Sequence, residues 1–163
     1  MITSSSINTK VINIVEQLAL LTWAFKNKNK FLPNLIDLKR KWIQLERGEC
    51  PELIWEIKKK IVERENIKNY MDDMHIGDIM TWGPHHTHIP NHTDDTIDNY
   101  HHIRYNLFLL KPLRGGDCLY DSQKYSPNER EYIMCDATKN HSTTPIIGLK
   151  PRIVISYGFL IKK

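Results

Sequence analysis

The stretch from Gly83 to His102, GPHHTHIPNHTDDTIDNYHH, holds six of the eight histidines of this 163-residue chain. Imidazole at that density means metal ligation, a pH-sensitive loop or plain polar surface, and spacing helps to sort the three. Along a strand, residues i and i+2 point the same way, so His92-Thr93-Asp94 presents an imidazole and a carboxylate to one point. With a second imidazole this becomes the two-His-one-carboxylate triad, which suits iron(II) and leaves coordination positions open. That imidazole must come from elsewhere. His75 and His141 are the histidines outside the cluster, and His141 stands before STTPIIG, a candidate strand late in the chain. HHTH (His85, His86, His88) could hold zinc, but neither a Cys pair nor an HExxH helix accompanies it, so it reads as polar loop. His101 and His102 abut an apolar run and are expected near the pocket mouth.

Arg152 opens the apolar run RIVISYGFLI. A cation at the head of a buried strand needs a partner, because unpaired charge in a core is costly. Two readings stand: a salt bridge to one of the Asp residues, or a bidentate clamp on a bound carboxylate.

Two textures position these residues. Through residue 74 the pattern is helical: Val11, Ile12, Val15, Leu18, Ala19, Thr22 and Phe25 form one stripe, with a Ser or Asn available as N-cap. Leu35, Leu38, Trp42 and Leu45 form a second, ending at Gly48. Ile54, Ile57 and Ile61 form a third, with Lys58–Lys60 read as a solvated face. After Met74, short β-branched and aromatic runs take over: IGDIMTW, IRYNLFLL, GDCLYD, REYIMCDA, TPIIG and RIVISYGFLI. Gly115-Gly116 sits where two of them could join as a hairpin. The expectation is one α+β domain over residues 1–163 with a mainly β core: a helical support layer (1–74) on a barrel or jelly roll (75–163). Tyr105, Phe108 and Trp82 either shape the pocket or are core.

Composition narrows the classes. With 40% apolar and 26% charged residues the chain is globular. A net charge of +4, spread along the chain, is too thin for a nucleic-acid footprint. Three cysteines without a CxxC pair point to a reducing compartment, and hence to the cytoplasm, a host's if the source is viral. No run of eighteen apolar residues would span a membrane, and the apolar stretch near Leu18–Phe25 lacks the flanks of a signal peptide.

The order His92-x-Asp94, YHHIRYNLFLLKPLRGGDCLYD, His141 and GLKPRIVISYGF resembles the iron(II)- and 2-oxoglutarate-dependent oxygenases over roughly residues 76–161. It is most similar to the prolyl-hydroxylase and aspartyl/asparaginyl β-hydroxylase group, including small phage and viral members. The resemblance implies a double-stranded β-helix (jelly-roll, cupin-like) fold with His92, Asp94 and His141 as catalytic iron ligands. It implies that Arg152 binds the distal carboxylate of 2-oxoglutarate, with Arg104 and Asn106 touching the same keto acid. Iron(II), 2-oxoglutarate, O2 and ascorbate follow as cofactors and cosubstrates. The reaction implied is hydroxylation of an unactivated C–H bond on a protein or peptide side chain (Pro, Asn or Asp), with a small-molecule substrate as the other option. Asp94 separates the chain from relatives that lack the acidic ligand. Val154 stands where many relatives have a hydroxyl, and Ser156 lies too far along the strand to join Arg152. Two alternatives come from other readings: an oxidative demethylase of nucleic acid, for which a further Arg after Arg152 is missing, and a non-catalytic cupin-like metal-binding protein, which leaves Arg152 unexplained.

Overall fold

The computed structural model describes residues 7–8 and 10–163. Its elements, in chain order, are β1 (Ile7–Asn8), α1 (Ile14–Lys26), β2 (Leu32–Pro33), β3 (Lys41–Gln44), α2 (Leu53–Arg64), β4 (Tyr70–Asp72), β5 (Ile79–Gly83), β6 (Tyr100–Leu110), β7 (Cys118–Tyr120), β8 (Gln123–Tyr125), β9 (Tyr132–Asp136), β10 (His141–Thr143) and β11 (Arg152–Lys162). Two antiparallel sheets form. The larger runs β1-β9-β6-β11-β5-β3-β2, with β4 also paired to β11. The smaller runs β10-β7-β8. The segment from Ile89 to His92 lies along β10 and extends that sheet: the His92 and His141 N–H groups each donate to the other's carbonyl, and Thr143 N–H donates to Ile89 O.

β11 is the centre of this architecture. It pairs with β6 along Ile153–Lys162 on one side and with β5 and then β4 on the other. Both faces are covered, so Arg152 through Leu160 are all buried, and the strand reads as an unbroken apolar run instead of an alternating one. Its odd-numbered residues, with Met80, Trp82, Ile103, Tyr105 and Leu107, meet α1 and α2. On the opposite face Val154, Phe108, Ile133 and Cys135 pack on Cys118 and Tyr120 of β7. The result is a double-stranded β-helix, two sheets face to face, with the helices backing the larger one.

Three expectations are corrected. The second helical stripe is not a helix: β3 occupies its centre, and Leu35, Ile36 and Leu38 are exposed in the preceding turn. Asn34 Oδ1 accepts the N–H groups of Ile36 and Asp37 there, a local bond that competes with helix formation. The first helix is present, capped by Asn13 and Glu16 in a reciprocal box, but it buries a different face. Gln17, Leu20, Leu21 and Ala24 are inside, while Val15, Leu18 and Phe25 are exposed. Gln17 hid that stripe because it is polar, yet its amide donates to Leu109 O and so is satisfied in the core. Lys58 is buried rather than solvated, its ammonium held by Asp72 and Asp78.

Gly115-Gly116 does not close a hairpin. It carries the chain from β6 in the larger sheet to β7 in the smaller, with φ of 74° and 70°. A Cβ at Gly115 would overlap the Pro145 carbonyl oxygen, so glycine is needed for backbone approach as well as for its left-handed conformation. TPIIG forms no strand: β10 precedes it, and Ile146 continues the pairing with the cluster segment through backbone hydrogen bonds to His86 and Thr87.

The corrected α1 face gives a direct prediction. Leu20→Ala should cost about 2–5 kcal/mol of unfolding free energy in denaturant titrations, whereas Leu18→Ala should stay within about 0.5 kcal/mol of the parent. The reverse order would restore the face read from the sequence.

Candidate metal centre and active-site cavity

His92 and His141 are opposite one another in an antiparallel pairing that exchanges both backbone hydrogen bonds, 3.1 and 2.9 Å long. Directly opposed residues in such a pair project their side chains to the same face, and the two imidazole centroids lie 4.2 Å apart. Asp94, two residues after His92, is fixed by its N–H donating to Ala137 O at 2.8 Å. One ligand atom from each of His92, Asp94 and His141 lies within 4.8 Å of the others. It is the one such group of three or more His, Cys, Asp or Glu found among the described residues.

Hydrogen bonding aims the imidazoles. His92 Nδ1 lies 2.8 Å from Pro90 O and His141 Nδ1 lies 2.9 Å from Lys139 O. A carbonyl only accepts, so each Nδ1 carries the proton and each Nε2 keeps its lone pair for a ligand. His92 Nε2 is 3.5 Å from Asp94 Oδ1. The Asp94 carboxylate, as acceptor for the protonated ring, raises the His92 pKa against the opposing effect of burial. Burial lowers that of His141. For Asp94, burial pushes upward, but the His92 hydrogen bond and the charges of His141 and Arg104 outweigh it, leaving the carboxyl below its ordinary value. At pH 7 Asp94 is ionised and His141 neutral, the states in which each ligates a metal. Two imidazole nitrogens and one carboxylate oxygen make a donor set that fits iron(II) with open positions.

The triad opens into a cavity of about 440 Å³ between the sheets. Arg152, Val154 and Ser156 of β11, Arg104 and Asn106 of β6, Ile79 and Thr81 of β5 and Trp42 and Gln44 of β3 all face it. Arg152 is 7% exposed. Its Nε donates to Gly116 O at 3.1 Å, one terminal nitrogen reaches Cys118 Sγ at 3.7 Å, and the guanidinium lies 4.8 Å above the Phe108 ring. No carboxylate of the described residues is within 4.0 Å of it. Of the two readings of Arg152, the internal salt bridge is therefore absent.

Arg104 and Asn106 also reach the cavity, and most of the Arg104 donors are occupied. Arg104 donates to Asp73 Oδ2 at 2.7 Å, to Ser156 Oγ at 2.9 Å, and to the carbonyls of Gly77 and Ser156. That leaves one of its five N–H groups for any ligand, so the expectation of a keto-acid contact at Arg104 meets a side chain already committed to Asp73. Asn106 Nδ2 donates to the Tyr120 hydroxyl at 3.1 Å.

Asp73, Arg40, Gln44, Thr81, Cys118, Tyr120 and Cys135 were not singled out as site residues in the sequence, and Trp42 was read only as part of a helical stripe. Arg40-x-Trp42-x-Gln44 carried a period-two signal, masked by the leucines around it. His102 is not at a pocket mouth: it is 2% exposed, with Nε2 3.1 Å from Asp73 Oδ2. His85 and His86 stack on each other at 3.6 Å, and His85 Nδ1 accepts the Gly148 N–H. Neither these two nor His88 lines the cavity, whereas His75 does. Trp82 and Tyr105 belong to the core beneath the helices, and Phe108 to the packing between the sheets.

Asp73 is the anion that makes a buried Arg104 tolerable. Its side chain is fully enclosed and accepts from Arg104, His102 and the N–H groups of His75 and Ile76. Burial pushes its pKa up, but the His102 and His75 hydrogen bonds and the Arg104 charge prevail and hold it far below the ordinary carboxylate range. Gly158, opposite Arg104 on β11, makes the room: a Cβ there would lie 2.6 Å from Asp73 Cβ. A depressed carboxyl contributes stability that is present above its unfolded value, about 3.9, and lost as pH falls toward the folded value. Asp73→Asn should therefore cost about 3–5 kcal/mol at pH 7, since it strands a buried cation. It should also flatten the fall in urea midpoint between about pH 5 and pH 2. An unchanged slope would remove Asp73 from the acid response.

No family model matches the sequence, and no curated protein matches it. Solved structures do match. The viral collagen prolyl hydroxylase of Paramecium bursaria Chlorella virus-1, solved with 2-oxoglutarate, superposes with a TM-score of 0.75 at 18% identity, over 98% of this chain and 96% of its own. HygX from Streptomyces hygroscopicus, with nickel and 2-oxoglutarate bound, gives 0.71 at 7% identity over 96% and 82%. A Trichoplax adhaerens prolyl hydroxylase, in complex with a hypoxia inducible factor oxygen degradation domain peptide fragment, gives 0.70 at 13% identity over 94% and 82%. At these identities the likeness is one of fold: this chain has the double-stranded β-helix of prolyl hydroxylases and 2-oxoglutarate–iron(II) oxygenases, the superfamily its sequence resembles.

Proposed function

We propose that this protein is an iron(II)- and 2-oxoglutarate-dependent dioxygenase that hydroxylates an unactivated C–H bond, on a protein or peptide side chain such as Pro, Asn or Asp. The observation that carries the reading is Arg152: a buried guanidinium without an acidic partner, in the cavity onto which His92, Asp94 and His141 converge. A dicarboxylate that spans from the metal to Arg152 supplies the missing anion, as the bidentate geometry of guanidinium favours.

Each residue has a defined task. His92 and His141 hold the iron through Nε2 while Pro90 O and Lys139 O keep their rings in register, and Asp94 supplies the anionic ligand. Arg152 orients the cosubstrate, stiffened by Gly116 O and the Phe108 ring. Val154, Ile79, Ile89 and Trp42 give the cavity apolar wall that limits water around the reacting carbon. Iron(II) and 2-oxoglutarate, when bound there, would supply the oxidising power that hydroxylates the C–H bond, with succinate and CO2 as coproducts. Ascorbate is the reductant that would keep the iron in its divalent state.

A peptide substrate is supported by the exposed Leu35, Ile36 and Leu38 in the turn between Asn34 and Arg40, both of which line the cavity, and by the peptide bound to the Trichoplax relative. A nucleic-acid demethylase is disfavoured by the thin net charge of +4. All three cysteines are free thiols, which suits a reducing cytoplasm. No helix among the described residues is long and apolar enough to cross a membrane.

Anaerobic addition of iron(II) and 2-oxoglutarate should produce the weak visible metal-to-ligand charge-transfer band, and its absence from intact purified protein would sink the oxygenase reading. His141→Ala should abolish both the band and succinate formation, while His85→Ala should leave both in place. Arg152→Gln should retain metal but weaken 2-oxoglutarate binding by about tenfold or more, since a charge-assisted hydrogen bond contributes about 1.5–3 kcal/mol. Equal loss from His85→Ala and His141→Ala would mean that the cluster has been sorted wrongly.

A further inference from the structure

Arg152 is not the only cavity guanidinium without an acid beside it. Arg40 immediately precedes β3 and lines the same cavity, on the face that carries Trp42 and Gln44. Among the described residues its guanidinium meets the His88 carbonyl at 3.2 Å and no carboxylate within 4.0 Å. Asp37, the nearest acid in sequence, instead accepts the backbone N–H of Lys39. The side chain is half-buried, and burial and the positive charge of Arg152 both lower its pKa while Asp37 raises it.

Strand register says where that charge sits. Lys41 is opposite Trp82 and Trp42 opposite Thr81, while Arg152 is opposite Gly83. Extending the β3–β5 pairing by one residue sets Arg40 level with Gly83, and so level with Arg152 two strands away, about 10 Å across the sheet. Gly83, with no side chain, lies between them. The two arginines thus stand level on the sheet, and both line the cavity.

Charge balance separates their roles. The charged residues lining the cavity, besides histidines, are Arg40, Lys41, Arg104 and Arg152 against Asp94. Arg104 is neutralised by Asp73. On the oxygenase reading, on which this inference rests, the three positive charges of iron(II) and Arg152 are together balanced by the three negative charges of 2-oxoglutarate and Asp94. Arg40 is then left uncompensated, with Lys41 beside it, in a partly desolvated site where an ionic partner is worth more than in water.

We propose that Arg40 is the receptor for a carboxylate on the substrate, so that the substrate class of this protein is one bearing an anionic group close to the carbon that is oxidised. The carboxylate has two chemical sources, an Asp or Glu side chain within a peptide or the terminal carboxylate of a peptide or free amino acid.

The test uses the full chain loaded with manganese(II), as a stand-in for iron, and 2-oxoglutarate. Calorimetric titration compares three pools of short peptides with varied central residues: capped pools with Asp/Glu flanking the centre, the matching Asn/Gln pools, and uncapped pools ending in a free carboxylate. The parent protein should bind one of the carboxylate pools at least about tenfold tighter than its amide counterpart, and which one identifies the source. Arg40→Gln should erase that preference, Arg40→Lys should retain part of it, and Lys39→Gln should leave it intact. The 2-oxoglutarate affinity of Arg40→Gln should equal that of the parent. Equal binding of acid and amide pools, or no binding of either carboxylate pool, overturns the proposal. So does a loss of 2-oxoglutarate affinity in Arg40→Gln, which would give Arg40 to the cosubstrate. An equal weakening of all pools overturns it too, since Arg40 would then only brace the His88 segment. If the parent protein binds no 2-oxoglutarate in the preliminary titration, the oxygenase reading fails separately, and acid-over-amide preference is still scored on the manganese-loaded protein.

Discussion

Two backbone hydrogen bonds between His92 and His141 hold this site together. They join segments almost fifty residues apart and set two imidazoles side by side, which no local sequence pattern could do. Asp94 then follows from the period of an extended chain, and the carbonyls of Pro90 and Lys139 orient the rings. Those bonds in turn need the smaller sheet in place, because His141 opens β10 and β10 is ordered by β7. The left-handed glycines at 115 and 116 route the chain to β7. A metal-binding geometry is thus assembled from ordinary sheet pairing, with the histidines at one end of the ladder.

The interior between the sheets differs from a simple apolar core in how it handles cations. Arg104 is locked by Asp73, which sits against Gly158 on the central strand. Arg152 rests on carbonyl, thiol and aromatic partners and keeps its charge unpaired. Arg40 stands between these extremes, half-buried with one carbonyl. Burying charge is expensive unless a partner offsets it, and the three arginines of this one cavity run from fully paired to unpaired.

Much of the β half was legible because its signals are local. IRYNLFLL and RIVISYGFLI became the two long central strands, and His92-x-Asp94 followed from strand period alone. The helical half was less legible. Two exposed apolar residues, Leu35 and Leu38, imitated a helix with Trp42 and Leu45 in what is an Asn34 turn leading into β3. In α1 a satisfied polar residue, Gln17, concealed the buried stripe. Both errors have one cause: hydrophobic periodicity assumes that apolar means inside, and here the rim of the cavity and the outer face of α1 break that rule.

The sequence by itself determined the candidate ligand pair His92 and Asp94, the strand that carries Arg152 and a β-rich fold around them, because each depends on residues two apart or on a single apolar run. Only the tertiary structure decided which distant histidine lies opposite His92, which arginine is neutralised by Asp73 and which faces the cavity unpaired. Those outcomes depend on register between strands remote in sequence, and a shift of one residue would turn each of these side chains to the other face of its sheet.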